Sequence, residues 1–508
     1  MITGKSYIGF SQQSSGSTTY KTINPKLNLE NEWVFTEATS EEIDEAINMA
    51  WTAFKAYRNI SESDRAKFLN AIADEIEALG DDLVQVYCAE SGLPEGRANG
   101  ERNRTVFQLR SFAEMLQSDD WKQVSIDTAI PDRTPAPKPD LRRSVLPLGP
   151  VAVFGSSNFP LAYSTAGGDT ASALAVGCPV VVKSHPMHAG TGELIAGAIV
   201  RAAQATGMPE GVFSNLNSKG IEVGQRLVKH PKIKAVGFTG SIRGGRALLD
   251  LAAQRTEPIP VFAEMGSINP VVITQNALEY NGSKWAETYA GSITLGTGQF
   301  CTNPGLILGI KSRELTSFTE ELAEKIVTID PMVMLHPNIK SAYGRMKSEV
   351  TGQSGVSVLS APLEVETNYA DQAVATVDGS AFLSNPKLHT EVFGPFSIVV
   401  QCEDEAQLLE IIENLEGQLT GTIIAEDSDL PNLHTIVDEM RQRVGRLIFN
   451  GVPTGVEVCP SMNHGGPYPS STDPRFTAVG MHSVRRWVRL ISYQNMPESL
   501  LPNELQNG

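Results

Sequence analysis

The stretch "PVVVK" at residues 179–183 decides the fold. Its three consecutive valines offer no polar face, so as a strand it reads as buried on both sides, the situation of a sheet covered by helices. Working outward, "PVAVF" (150–154) precedes it, and "VFSNL" (212–216), "IKAVGF" (233–238) and "PIPVFAE" (258–264) follow it. Longer Ala-rich segments suited to helices separate these runs. Such alternation predicts an α/β fold built on a parallel sheet. Ligands of open parallel sheets bind beyond the carboxyl ends of the strands. The polar residues there are Asn158, Lys183, Ser241 and Glu264.

A second set of runs, "PVVIT" (270–274), "LILGI" (306–310), "FSIVV" (396–400) and "GTIIA" (421–425), predicts a second α/β unit after residue 265. Near the amino end, Ile43, Ile47, Trp51 and Phe54 recur at helical spacing, and Thr39 with Glu42 forms a capping-box pattern ahead of them. The proline-rich stretch 129–150 predicts an extended excursion, and "HSVRRWVRLISYQN" (482–495) an added edge strand.

Composition narrows the function. The chain has 508 residues, 41% hydrophobic and 19% charged, as expected of a folded protein of several domains. Lys and Arg number 41 against 58 Asp and Glu, a formal charge of −17, which disfavours nucleic acid and anionic membranes as partners. The five cysteines are far apart and form no CxxC pair, as reduced cytoplasmic thiols would be. No secretory leader is evident, and no window reaches the roughly 20 apolar residues of a membrane span.

The chemistry-bearing stretches each allow more than one reading. In "GFTGSIRGG" (237–245) a strand runs into Gly240 and Ser241 before a helix, so free N–H groups either meet a side-chain cap or face a phosphate. Neither GxGxxG nor a P-loop is present. Lys183 either reaches solvent or binds ligand hydroxyls or phosphates. Glu264 is a solvated strand-end carboxylate or a general base, a task helped by poor solvation, which moves a carboxylate's pKa toward neutrality. Asn158 in "FGSSNFP" reads equally as a turn residue. Cys301 lies in "GTGQFCTNPG" (296–305), where Gly296 and Gly298 allow a sharp loop. It is either an inert small hydrophobe or a nucleophile. None of the eight histidines falls in an assignable catalytic motif, and HExxH is missing, so no metal site is expected.

Together, in order, "FGSSNFP", "VVVKSHP", "GFTGSIRGG", "FAEMGSINP", "GTGQFCTNPG" and "EVFGPF" (391–396) resemble the NAD(P)-dependent aldehyde dehydrogenase superfamily over nearly the whole chain. The resemblance implies a modified Rossmann cofactor domain, an α/β catalytic domain and a small β oligomerisation arm. Its bounds would be 1–119 with 149–265, then 266–455, then 120–148 with 481–508, with 456–480 returning to the cofactor domain. It implies that Cys301 attacks an aldehyde, that Asn158 and the Cys301 N–H hold the oxyanion, and that Glu264 activates water. Lys183 would bind the adenosine ribose, Gly240 and Ser241 the pyrophosphate, and Glu391 with Phe393 the nicotinamide ribose end. Phe159 and Phe300 would wall the substrate tunnel.

Departures from the family pattern are Ser156 and Ser157 before Asn158, Ser267 after Gly266, and Thr302 after the nucleophile. Pro186 stands where many NAD-preferring members carry a ribose-binding glutamate, which implies that NADP is accepted as well as NAD, with Lys219 a candidate partner for the 2′-phosphate. Residues 131–186 look most like the α-ketoglutarate semialdehyde (2,5-dioxopentanoate) dehydrogenases. That implies oxidation of 2,5-dioxopentanoate to 2-oxoglutarate, with Arg104 either meeting the substrate carboxylate or standing as a solvated helix residue. The rival expectations are a fatty or other aliphatic aldehyde dehydrogenase, and a non-catalytic nucleotide-binding scaffold. Retention of Cys301, Glu264 and Asn158 argues against the scaffold. A homodimer or homotetramer is expected.

Overall fold

A computed structural model of the chain describes residues 1–507. Five strands of the first sheet are parallel, in the spatial order Val261–Glu264, Ala235–Thr239, Val151–Phe154, Val180–Lys183, Phe213–Leu216. Two short strands, Ser6–Ile8 and Ser11–Gln13, extend it antiparallel at one edge. These two were not expected: with only three residues each, one of them wholly polar, they show no readable alternation.

The valine run behaves as its composition demands. Val180 and Val182 pack into the core on one face of the sheet and Val181 into the core on the other, all three fully buried. Burying one valine contributes roughly 1.5–3 kcal/mol relative to exposure, so this strand is held from both faces. Residues 189–205 form an Ala-rich crossover helix between it and Phe213–Leu216. The expected amino-terminal helix runs Ser40–Tyr57, and Thr39 and Glu42 make the reciprocal capping box.

The second sheet orders Ser357–Val358, Ala373–Asp378, Phe396–Cys402, Leu306–Ile310, Pro270–Ile273, Gln418–Ile424 and Val444–Phe449, parallel except at its first pair. Its strands also divide between two cores, with Val272 and Leu308 on one face and Val271 and Ile307 on the other. The strands at 357–358, 373–378 and 444–449 had no counterpart among the expected runs. The proline-rich excursion supplies Leu141–Pro147, which pairs antiparallel with Ser125–Asp127 and with Val488–Gln494 from the tail. The arm was expected to run to Gly508, which lies outside the described residues. Among the described residues no helix is long and apolar enough to cross a membrane.

Candidate active site

The carboxyl ends of the first sheet and the amino-terminal loops of the second meet in one cleft. Ser267, on the link between the two sheets, is fixed to the second: its hydroxyl donates to Gln418 Oε1 at 2.9 Å and accepts from the Leu419 N–H at 3.0 Å. The serine that departs from the family's glycine thus anchors the linking segment to the strand Gln418–Ile424.

The loop carrying Cys301 is shaped by three successive left-handed residues, Gly296, Thr297 and Gly298, with φ of 55, 61 and 63°. Gly298 is confined further, because a Cβ there would lie 2.3 Å from the backbone of Gly394. Thr297 has a side chain in this conformation, at a cost of about 1–2 kcal/mol. Its hydroxyl donates to the Val333 carbonyl at 3.2 Å. Asn269, itself at φ 50°, donates to the carbonyls of Cys301 and Asn303 at 2.9 and 2.8 Å and so anchors the loop beyond the thiol.

Asn158 reaches the same loop, where its Nδ2 donates to the Gln299 carbonyl at 2.9 Å. That leaves one of its two amide hydrogens for a ligand. The turn after Asn158 is held by Glu101, a buried carboxylate that accepts from the N–H groups of Leu161 and Ala162 at 2.7 and 3.0 Å and from Tyr87 Oη at 2.6 Å.

Glu264, 4% exposed, and His464, 1% exposed, complete the centre. His464 Nε2 lies 2.8 Å from Glu264 Oε1 and 3.6 Å from Cys301 Sγ, although neither carboxylate oxygen meets hydrogen-bond geometry with any partner. Burial, and then the charge of Glu264, push the Cys301 thiol well above its ordinary pKa. The sulfur therefore rests protonated, with the buried side chains of Glu264 and His464 beside it. Sequence reasoning missed His464. It lies in the Pro/Gly-rich segment 460–470, which has no periodicity, and meets its partners from 163 and 200 residues away.

Cys301 opens onto a cavity of about 270 Å³ whose lining includes Arg97, Arg104, Phe159, Tyr163 and Phe300. Phe159 and Phe300, expected as tunnel walls, meet edge to face at 5.5 Å. The Arg97 guanidinium lies 4.4 and 4.8 Å from their ring centres. Arg104 also lines the cavity, but it donates to the Val456 carbonyl and, at 3.2 Å, to Tyr163 Oη, with its Nε left unpartnered. Arg97 has one hydrogen bond, a long one of 3.4 Å to Glu101. Sequence reasoning singled out Arg104 and passed over Arg97, although a separation of seven residues puts both on one face of the helix Glu95–Met115.

The other strand ends line a further part of the cleft. Lys183 Nζ donates to the Ser218 carbonyl at 3.0 Å, and burial lowers its pKa to about 8. Pro186 sits in the turn that follows, and Lys219 is exposed. Glu37 accepts from the backbone N–H groups of Lys219 and Gly220 at 2.5 and 2.9 Å. Ser241 caps the helix Ile242–Ala253, its hydroxyl accepting from Gly244 N–H at 3.2 Å. The Gly240 N–H is engaged too, donating to the Glu264 carbonyl at 3.0 Å. Both readings of this turn therefore have a basis: the cap is made, and the amides of Ile242 and Arg243 in the first helical turn remain for an anion. Glu391 and Phe393 line the adjoining pocket with Ser267 and Phe300, and burial raises the Glu391 carboxyl to about 7.

A strand-end lysine, an open helix start, a buried carboxylate and a cysteine at the mouth of a cavity thus line one cleft, an arrangement that suits thiol chemistry beside a bound anion. The comparisons narrow this further. The profile of the aldehyde dehydrogenase family matches residues 10–349, and the chain belongs to that family. It is 44% identical to the alpha-ketoglutaric semialdehyde dehydrogenase of Acinetobacter baylyi, over 99% of this chain and 96% of the relative. It is 46% identical to alpha-ketoglutaric semialdehyde dehydrogenase 2 of Azospirillum brasilense, over 100% and 97%. Among solved structures, the betaine aldehyde dehydrogenase of Staphylococcus aureus in complex with NAD+ shares the fold, with a TM-score of 0.83 at 20% identity and coverage of 98% of both chains. The family uses a nicotinamide dinucleotide, and this chain is an aldehyde dehydrogenase.

Proposed function

We propose that the protein oxidises 2,5-dioxopentanoate to 2-oxoglutarate through a thioester on Cys301. The observation that carries this reading is the single cavity that joins Cys301 to two arginines on one helix face. An aldehyde with a carboxylate at its far end needs both a nucleophile and a remote cation. The two alpha-ketoglutaric semialdehyde dehydrogenases among the relatives support the same substrate. A long-chain aldehyde would bring no anion to either guanidinium group, leaving Arg97 only its long contact with Glu101.

In this reading the thiol gives its proton to a neighbouring base, and sulfur bonds to the aldehyde carbon. The free amide hydrogen of Asn158 and the Cys301 N–H receive the oxyanion. Bound nicotinamide supplies the acceptor for the hydride that leaves the carbon. Glu264 then takes a proton from the water that attacks the thioester, the C–S bond breaks, and the acid departs as the thiol is restored. Arg97 and Arg104 fix the far carboxylate, and Phe159 and Phe300 exclude water from the path between.

The residues that suit the cofactor are Lys183 for hydroxyls of the adenosine ribose, the helix start at Gly240 and Ser241 for the pyrophosphate, and Glu391 with Phe393 at the nicotinamide end. The unfilled N–H positions on Lys183 and at the first turn of Ile242–Ala253 fit such a group. Pro186 brings no negative charge, and Lys219 is exposed beside the site, so NADP is accepted along with NAD. In the same reading the cofactor domain spans 1–119 with 149–265, the catalytic domain 266–455, and the arm 120–148 with the tail from 481, residues 456–480 returning to the cofactor domain. The three-stranded arm, whose strand Val488–Gln494 pairs on one side only, joins a second subunit in a homodimer or homotetramer. The free state of all five cysteines supports a cytoplasmic location.

Steady-state kinetics with 2,5-dioxopentanoate and a long-chain aldehyde, each with NAD and NADP, test this. The reading expects kcat/KM to favour the dioxo acid by tenfold or more, on the order of one charged hydrogen bond. Preference for the long-chain aldehyde would overturn the substrate, and absence of turnover with every aldehyde would favour the scaffold.

A further inference from the structure

Cys301, Glu264 and His464 each offer one ligand atom, and the three atoms lie within 4.8 Å of one another. We propose that this cluster is an inhibitory zinc site, in which one Zn²⁺ takes the Cys301 sulfur, the His464 Nε2 and a Glu264 oxygen and blocks the enzyme reversibly. The inference goes beyond the proposed reaction and rests on it in one respect: inhibition follows because Cys301 is read as the nucleophile.

The donor set and the spacing both point to this ion. Thiolate, imidazole and carboxylate together are zinc ligands, whereas calcium and magnesium require a shell of oxygens. With Zn–S of ~2.3 Å and Zn–N of ~2.05 Å at a tetrahedral angle, sulfur and nitrogen stand roughly 3.6 Å apart. The observed separation of Cys301 Sγ and His464 Nε2 is 3.6 Å. His464 Nε2 and Glu264 Oε1, at 2.8 Å, would open by about 0.6 Å to reach the roughly 3.4 Å that a shared zinc requires. That movement has a driving force, because both oxygens of the buried Glu264 carboxylate lack a hydrogen-bond partner. Buried carboxylate oxygens that no well-aligned donor satisfies are costly, and a cation between them and the sulfur relieves that cost.

Entry runs through the cavity of about 270 Å³ that reaches Cys301. Three protein ligands leave the fourth position to water, the pattern of an open rather than a structural site. Binding exchanges the thiol proton for the metal: the S–H bond breaks, the S–Zn bond forms, and one proton passes to solvent with no change of oxidation state. The ion then occupies the sulfur lone pair that would attack the aldehyde and the carboxylate that would activate water. The site therefore differs from a catalytic metal centre, for which the sequence offers no motif.

Cobalt chloride as a spectroscopic stand-in for zinc tests the proposal without turnover. The wild-type protein should bind one Co²⁺ and develop an intense thiolate-to-metal band in the near ultraviolet. The band should be absent in Cys301→Ser, and affinity should fall by on the order of tenfold or more in His464→Gln and in Glu264→Gln, the second variant covering misfolding of the first. With wild-type enzyme, zinc chloride should inhibit and a chelator should restore activity. Failure to bind Co²⁺, a band that survives in Cys301→Ser, or undiminished affinity in a folded His464→Gln or Glu264→Gln would overturn the site. A normal cobalt band in a protein that oxidises no aldehyde would instead defeat the nucleophile reading while leaving the metal site standing.

Discussion

The two seven-stranded sheets serve the cleft from opposite ends. The first presents carboxyl ends: Lys183 and Glu264 are the last residues of their strands, and Ser241 and Asn158 follow theirs by two and four positions. The second presents amino ends: Cys301 precedes the strand Leu306–Ile310 by five residues, and Glu391 precedes Phe396–Cys402 by five. The strands of the second sheet end on the far side in apolar residues such as Ile273, Ile310 and Ile424. A helix-backed parallel sheet favours ligands at its carboxyl edge, where helix starts and open turns gather. Cys301 comes from the other kind of edge, so its placement rests on a loop with its own backbone design. The run of left-handed residues 296–298 is that design.

The contrast is tested most severely by removing one group from each side. Cys301→Ala should abolish dehydrogenase activity and the burst of reduced cofactor, because no other thiol borders the cavity. Glu264→Gln, on the first sheet, should keep the burst and lose steady turnover by about 10²–10⁴-fold, since attack on the aldehyde survives while water activation fails. Rapid-mixing absorbance measurements separate the two. Equal loss of the burst in both variants would mean that Glu264 also takes the thiol proton, and the division of labour between the sheets would collapse.

The same contrast explains what was legible in the sequence. The first sheet was readable from runs such as "PVVVK", and the carboxyl-end rule then led to Asn158, Lys183, Ser241 and Glu264 without further information. No topological rule led to Cys301; small residues around it and the resemblance did. His464 was invisible because its contacts with Glu264 and Cys301 span 200 and 163 residues and its own segment folds without regular structure. Arg97 left a usable signal, its seven-residue offset from Arg104. The amino-terminal strands of the first sheet were too short to show alternation.

The arginines probe the cavity between the sheets. Arg97→Ala should raise KM for 2,5-dioxopentanoate about tenfold to a hundredfold, the worth of a hydrogen bond to a charged group, and change KM for an uncharged aliphatic aldehyde little. Arg104→Ala should act less on KM, because much of its guanidinium is already committed to Val456 and Tyr163. A larger effect at Arg104, read from KM ratios for the two aldehydes, would shift the carboxylate toward the position that the sequence had favoured.

The smallest expected effect lies at the far end of the first sheet. Burial lowers the Lys183 ammonium to about 8, and the charge of Glu37 acts against that shift. If Lys183 holds the ribose as proposed, the charged lysine is the donor below that pH; as pH rises through about 8 it loses a proton and with it a donor, so cofactor KM should climb a few-fold between pH 7 and 9. Glu37→Gln removes the charge that favours the ammonium, so the same rise should begin at lower pH. Lys183→Gln should flatten it. If the rise persists in Lys183→Gln, the titrating group belongs to another part of the cleft, with Glu391, held near 7 by burial on the second sheet's side, the next group to replace.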